Sequence, residues 1–184
     1  LLVWTTTPWT LTSNVAAAVG PELDYVRVRA EDGWTYYLAE EAMKNTLLGK
    51  DNEVVGRVKG AEMVGWAYTG PFDDLPQVET VFAEAGYTHQ VVPWDAVGAE
   101  EGTGIVHIAP GCGAEDFELS KEHDLPVIAP IDENGVYLDG FDWLTGRDVM
   151  GVAEDIFARM KENGFFYRKQ RYTHRYPHCW RCGS

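Results

Sequence analysis

The chain predicts an α+β fold, a barrel-like and largely antiparallel sheet with peripheral helices. Three observations carry that expectation. Short runs rich in Val, Ile, Thr and aromatic residues recur between Gly, Pro and Asx turn signals. Helical periodicity surfaces in only two or three segments. With 45% hydrophobic residues in 184, the chain can bury one ordinary core and is not disordered.

Leu1 to Trp4 reads as an apolar strand start that ends at Thr5-Thr6-Thr7-Pro8, because Pro8 removes an N–H. Asn14 to Val19 is the next strand, and Asp24 to Ala30 follows, alternating Tyr25, Arg27 and Arg29 with Val26, Val28 and Ala30. Glu31-Asp32-Gly33 turns that strand into Trp34 to Leu38, giving a hairpin. Ala39 to Leu48 carries helix formers up to Gly49, whereas Glu53 to Lys59 and Ala61 to Val64 read as strands around Gly60. Residues 66–102 are rich in Gly, Pro and acids, with strands expected at Val78 to Ala83 and Gln90 to Trp94.

Gly104 to Ala109 is a strongly apolar strand that ends in Pro110-Gly111-Cys112-Gly113 and feeds a helix from Ala114 to His123. Pro126 to Ile131 reads as a strand, Asp132-Glu133-Asn134-Gly135 as its turn and Val136 to Leu138 as its return. From Arg147 to Asn163, Val149, Ala153, Ile156, Phe157 and Met160 fall at helical spacing, and Gly164 stops the helix. Phe165 to Lys169 reads as a last strand. No repeat or low-complexity segment interrupts this order.

The net charge of −14 argues against a generic nucleic-acid coat, since phosphate is contacted mainly by Lys and Arg. The charge is nevertheless uneven. Residues 157–184 carry seven basic side chains and one acid, +6, which leaves −20 on residues 1–156. No apolar run reaches the roughly 20 residues of a membrane span, and no leader pattern is present, so a soluble, cytoplasmic protein is expected. Three cysteines form no closed disulfide framework, and the Cys179-Trp-Arg-Cys182 spacing points to metal. The start at Leu1 and the stop just after Cys182 suggest an excised piece of a longer polypeptide.

Two constellations suggest chemistry. Trp4-Thr5-Thr6-Thr7-Pro8-Trp9-Thr10-Leu11 places hydroxyls, a proline and two indoles at a strand exit, fit either for binding or for a threonine-rich strand end. The run Glu101-Gly102-Thr103-Gly104-Ile105-Val106-His107-Ile108-Ala109-Pro110-Gly111-Cys112-Gly113-Ala114-Glu115-Asp116 is a strand, a glycine-rich bend and a helix start. His107 would lie near the strand end, as a ligand-facing group or a hydrogen-bonded core histidine. Asp116 would lie in the first helical turn, where the macrodipole favours a charged carboxylate.

These two motifs, with Ser13-Asn14 between them and Tyr176-Pro-His-Cys-Trp-Arg-Cys182 at the end, resemble the isoleucyl-tRNA synthetases, and more narrowly their inserted editing domain, connective peptide 1. Valyl and leucyl relatives typically read Thr-Thr-Arg-Pro at the first motif, so Thr7 favours the isoleucyl branch. The resemblance implies an editing domain over residues 1–175 and, over 176–184, the start of a truncated zinc-binding knuckle leading back to the catalytic domain. It implies hydrolysis of valine from mischarged isoleucine tRNA, with valyl-adenylate left open as a second substrate. A synthetic pocket gains only about 1–3 kcal/mol against a ligand one methylene smaller, a magnitude that comes from isoleucyl enzymes themselves. A second pocket too small for isoleucine inverts the selection.

By the same resemblance, Asp116 holds the α-ammonium and His107 forms part of the size-selective wall. Thr5, Thr6, Thr7 and Asn14 supply hydrogen bonds to the terminal adenosine, the ester and the attacking water. Trp9 and Tyr176 either bracket the adenosine or sit in the core. Editing needs no cofactor. Cys179 and Cys182 form half a zinc site whose partner cysteines precede the domain, so it is expected to be empty here, although His174 and His178 could complete an accidental site. ATP would serve only the catalytic domain.

The implied partners are the 3′ end of the isoleucine tRNA carrying valine and the remainder of the synthetase, with no membrane. Three other readings stay open: a non-catalytic zinc-knuckle RNA-binding module, a freestanding deacylase, and a thiol hydrolase using Cys112.

Overall fold

A computed structural model describes residues 1–47, 51–100 and 102–170. Its strands form two three-stranded sheets. In one, β1 (Ala16–Val19) runs between β5 (Gln90–Pro93), which is parallel to it, and β6 (Ile105–Ile108), which is antiparallel. In the other, β2 (Asp24–Arg29) is central, with β3 (Thr35–Ala39) and β4 (Glu53–Lys59) antiparallel on either side. The β2–β3 hairpin is as the alternation predicts.

A seam joins the sheets. The Leu2 N–H donates to the Tyr37 carbonyl at 3.0 Å, the Trp4 N–H to Ile105 at 3.2 Å and the Ala39 N–H to Thr103 at 2.8 Å. The fully buried Tyr25 hydroxyl accepts from the Gly20 N–H at 3.0 Å and donates to the Gly104 carbonyl at 2.6 Å. Gly102 has φ +65°, and a Cβ there would meet the Trp4 indole at 2.5 Å, so only glycine lets that indole close over the seam.

The α+β class and the largely antiparallel pairing hold, and among the described residues the sheets expected to be barrel-like do not close. Pro93 offers no N–H at the end of β5, and beyond that strand only an isolated bridge, Ala67 to Gln90, continues the pairing.

β1 buries all four of its residues completely, which places it at the centre of the core. Around it, Leu11, Val15 and Ile108 pack with Phe72, Val78, Leu119, Phe141 and Ile156. These contacts fix the helices α3 (Pro76–Ala85), α4 (Ala114–His123) and α5 (Ala153–Glu162) on the periphery.

Several local expectations are corrected. The helix expected from Ala39 shrinks to α1 (Met43–Thr46), because Ala39 belongs to β3. Residues 61–64 are not a strand; α2 (Gly60–Met63) is a helical turn in which Glu62 accepts from the Lys59 N–H at 3.2 Å. Residues 78–83 are helical within α3: Val78, Val81 and Phe82 follow the 3.6 period, Pro76 starts the helix and Gly86 caps it at φ +59°.

Pro126 and Pro130 deny residues 126–131 a ladder, leaving a single bridge from Ile131 to Tyr137. The long helix expected from Arg147 is broken at Val152. A 3₁₀ turn (Val149–Gly151), capped by the Asp148 carboxylate on the Met150 N–H at 2.8 Å, precedes α5. Residues 165–169 and the opening residues 1–3 lie in no sheet strand. Among the described residues, no helix is long and apolar enough to cross a membrane.

Candidate active site

The threonine-rich motif leaves the seam at Trp4 and becomes a 3₁₀ helix (Pro8–Ser13) with Pro8 at its first position. That turn curls Thr10 back: its N–H and its hydroxyl both donate to the Thr7 carbonyl, at 3.1 Å and 2.8 Å. The Thr5 hydroxyl accepts from the Thr7 N–H at 3.1 Å. Thr6 remains exposed, while Thr5 and Thr7 are half-buried. Strand β6 then brings His107 across to the loop. Its Nε2 lies 3.0 Å from the Thr10 hydroxyl and its Nδ1 lies 2.8 Å from the Asn14 amide nitrogen.

Proton positions follow from the partners. The Asn14 amide nitrogen also faces the Ala16 carbonyl at 2.9 Å, which can only accept, so the nitrogen end of the amide points inward. His107 Nδ1 must then accept, and Nε2–H donates to Thr10. The Asn14 oxygen, facing the other way, accepts from the Tyr68 hydroxyl at 2.7 Å. The result is a chain of hydrogen bonds from Tyr68 through Asn14, His107 and Thr10 to the Thr7 carbonyl. Burial pushes His107 down to about 4, against a smaller upward effect of Thr10, so the ring is neutral at physiological pH.

Asp116 occupies the first turn of α4, as the sequence predicts. Its Oδ2 accepts from the Ala109 N–H at 2.7 Å, which ties the carboxylate to the strand two residues beyond His107. Burial outweighs the helix N-terminus and this hydrogen bond: the carboxyl pKa is raised, and neighbouring Glu115 adds to the rise. Nearby, burial pushes the Cys112 thiol up to about 12. Ser13 lowers it, although the buried Ser13 hydroxyl has no partner of hydrogen-bonding geometry among the described residues.

A groove of about 1800 Å³ opens beside the motif, and its walls include Thr5, Thr6, Leu11, Asn14 and Tyr68. Among the described residues, Thr7, Trp9, His107 and Asp116 are not part of those walls. Trp9 packs against the core, and its carbonyl accepts from the Tyr137 hydroxyl at 2.9 Å. Tyr176, His174, His178, Cys179 and Cys182 lie outside the described residues, and no cluster of metal-ligating side chains occurs among those described.

Sequence reasoning missed Thr10, Tyr68, His89 and Asp73. His89 Nε2 meets Asp73 Oδ1 at 2.6 Å, its Nδ1 meets the Val15 carbonyl at 3.0 Å, and its ring stacks on Tyr68 with centroids 4.7 Å apart. A histidine set directly before the short strand 90–93 was the available signal.

The fold is that of the editing domains of class I aminoacyl-tRNA synthetases. It matches a solved structure of GlLeuRS-CP1 with a TM-score of 0.68 over 92% of this chain and 84% of that one, at 13% identity. The P. knowlesi cytosolic leucyl-tRNA synthetase editing domain matches with a TM-score of 0.64 over 88% and 80%, at 11% identity.

The sequence narrows the class, and the chain belongs with the isoleucine–tRNA ligases. It is 43% identical over 182 residues to that of Methanothermobacter thermautotrophicus and 39% identical over 188 residues to that of Pyrococcus horikoshii, in both cases across 99% of this chain. The chain spans 17% of the length of those two relatives. No protein-family model matches it.

Proposed function

We propose that this chain is the post-transfer editing domain of an isoleucine–tRNA ligase, hydrolysing valine from valyl-tRNA of the isoleucine acceptor. The observation that carries the reading is the bond between Thr10 and His107, 3.0 Å long, which draws the threonine-rich loop onto the strand that leads to Asp116. Asp116 grips the α-ammonium. Its carboxyl is half-buried with a raised pKa, so a bound cation gains by restoring the charge that burial disfavours. The valine end of the ester lies against the β6 end, and the terminal adenosine runs out along the groove past Thr5 and Thr6.

An aminoacyl ester is already activated, so the site supplies position and hydrogen bonds rather than a nucleophile of its own. His107 is not the base that takes the proton of water, since both ring nitrogens are engaged and the ring is pushed down to about 4. The water is oriented by the threonine hydroxyls and main-chain groups, with the free ribose hydroxyl of the substrate as an additional partner. His107 is buried behind the groove and acts through its two bonds: by holding Thr10 and Asn14 it fixes the loop against which isoleucine's extra methylene clashes.

The reading implies the rest of the ligase and the 3′ end of the tRNA as partners. ATP would be used by the ligase's synthetic domain, and zinc by residues 176–184 together with cysteines outside this chain. A thiol hydrolase is disfavoured because a thiol pushed up to about 12 is scarcely ionised at neutral pH.

The test is hydrolysis of valyl-tRNA and isoleucyl-tRNA by the complete ligase. Faster loss of the valyl ester is expected. Equal rates for both esters would overturn size exclusion.

A further inference from the structure

Tyr68 has no place in the motifs, yet among the described residues its hydroxyl is the side-chain donor to the oxygen of the Asn14 amide, at 2.7 Å. The two residues are 54 positions apart, and Tyr68 lies on an otherwise irregular stretch after α2. Something else therefore has to hold the phenol in place. The ring stacks on His89, tilted by 26°, and His89 is itself 3% exposed and immobilised by the Val15 carbonyl and the Asp73 carboxylate. Phe82 of α3 also meets the His89 ring edge-on, with centroids 4.7 Å apart. Asp73 is secured in turn by the Gly70 N–H at 2.8 Å.

Asn14 is the joint of the site. Its nitrogen end serves His107 and the Ala16 carbonyl, and its oxygen end has Tyr68. A buried amide oxygen that loses its donor carries the full cost of desolvation, and it recovers that cost by rotating or by admitting water. Either response releases His107 from the geometry in which its Nε2–H faces Thr10.

We propose that Tyr68 is a positioning residue of the editing site: its hydroxyl holds the Asn14 amide against His107, and the Asp73–His89 pair holds the phenol. This rests on the editing function proposed above. Tyr68 does not touch the scissile bond. It sets the rigidity of the wall and of the threonine loop, so its loss lowers turnover more than binding.

The variant that isolates the hydroxyl is Tyr68→Phe, which keeps the ring stacked on His89. In the complete ligase, valyl-tRNA deacylation by Tyr68→Phe is expected to fall about tenfold in kcat, with KM within about twofold. If Tyr68 acts only through Asn14, the double variant Tyr68→Phe/Asn14→Ala loses no more than Asn14→Ala alone, whereas an independent structural role makes the losses multiply. Unchanged kcat in Tyr68→Phe, or multiplying losses, overturns the proposal.

The ring state of His107 is read separately, by nitrogen-15 NMR of histidine-labelled chain. The Nε2–H tautomer is expected in the parent and a mixture in Tyr68→Phe, and an unaltered single tautomer counts against the proposal. Absence of deacylation by the parent ligase would instead defeat the editing reading itself, and the NMR result would still decide whether Tyr68 positions His107.

Discussion

Asn14 and His107, 93 positions apart, meet at 2.8 Å, and that contact decides which nitrogen of the histidine carries the proton. It joins the end of the threonine-rich turn to the middle of β6. Because the Ala16 carbonyl and the Tyr68 hydroxyl fix the amide at its two ends, the histidine is a donor towards Thr10 and an acceptor towards Asn14. A histidine held in this way has shape but no spare basicity.

Removal of that shape should relax specificity. His107→Ala in the complete ligase is expected to begin hydrolysing isoleucyl-tRNA, narrowing the ratio of valyl to isoleucyl rates by about tenfold or more, the scale on which one methylene is read. The variant also strands Asn14 and Thr10, at a cost of about 1–3 kcal/mol in stability. Comparing the two deacylation rates, with a urea unfolding curve alongside, separates the effects. A ratio like the parent's in a folded variant would remove His107 from the sieve.

The depressed pKa of His107 predicts a pH dependence of stability. The folded ring titrates near 4 and an unfolded histidine near 6.5, so the stability present above about pH 6.5 is lost as pH falls towards 4. Over that window the loss is on the order of 3 kcal/mol. Asp116, raised in the fold, contributes with the opposite sign, its share being present at low pH and lost as pH rises. The comparison is therefore made against His107→Gln, which keeps a donor and an acceptor but does not titrate. Urea midpoints at pH 7 and pH 4.5 should fall further for the parent than for the variant.

Cys112 should be dispensable for the chemistry. With a pKa of about 12, roughly one thiol in 10⁵ is ionised at pH 7. Cys112→Ser is expected to deacylate valyl-tRNA within about twofold of the parent rate. A loss of a hundredfold would revive a thiol mechanism.

The bend before Asp116 depends on a missing side chain. A Cβ on Gly111 would lie 2.0 Å from the Ile128 carbonyl oxygen, a backbone atom with no rotamer to escape into. Gly111→Ala should destabilise the chain by about 1–3 kcal/mol or more, measured by thermal unfolding, and should lower deacylation by moving α4.

Much of this arrangement could be read from the chain. Val26 to Arg29 alternates buried and exposed and pairs as expected, although Tyr25, grouped with the two arginines by the sequence pattern, is buried beside Val26; Gly104 to Ala109 marks β6 because it is apolar on both sides. The errors have physical causes. Val78, Thr80 and Val81 are β-branched and suggest a strand, but Pro76 at the first turn and Gly86 past the end outweigh propensity once Val78 finds the core. Closure of the sheet could not be read, since it depends on long-range pairing at β5, where Pro93 ends the ladder. His107 and Asp116 stood out locally, whereas Tyr68, His89 and Asp73 take their meaning only from tertiary contacts.

The central claim, that Asp116 holds the amine of a misattached amino acid, is tested most directly by valyl-tRNA deacylation in the complete ligase carrying Asp116→Ala. The expected result is a loss of at least about a hundredfold, with the fold intact and aminoacylation retained, because the ammonium loses its charge-assisted partner. Near-parental deacylation by that variant would contradict the account.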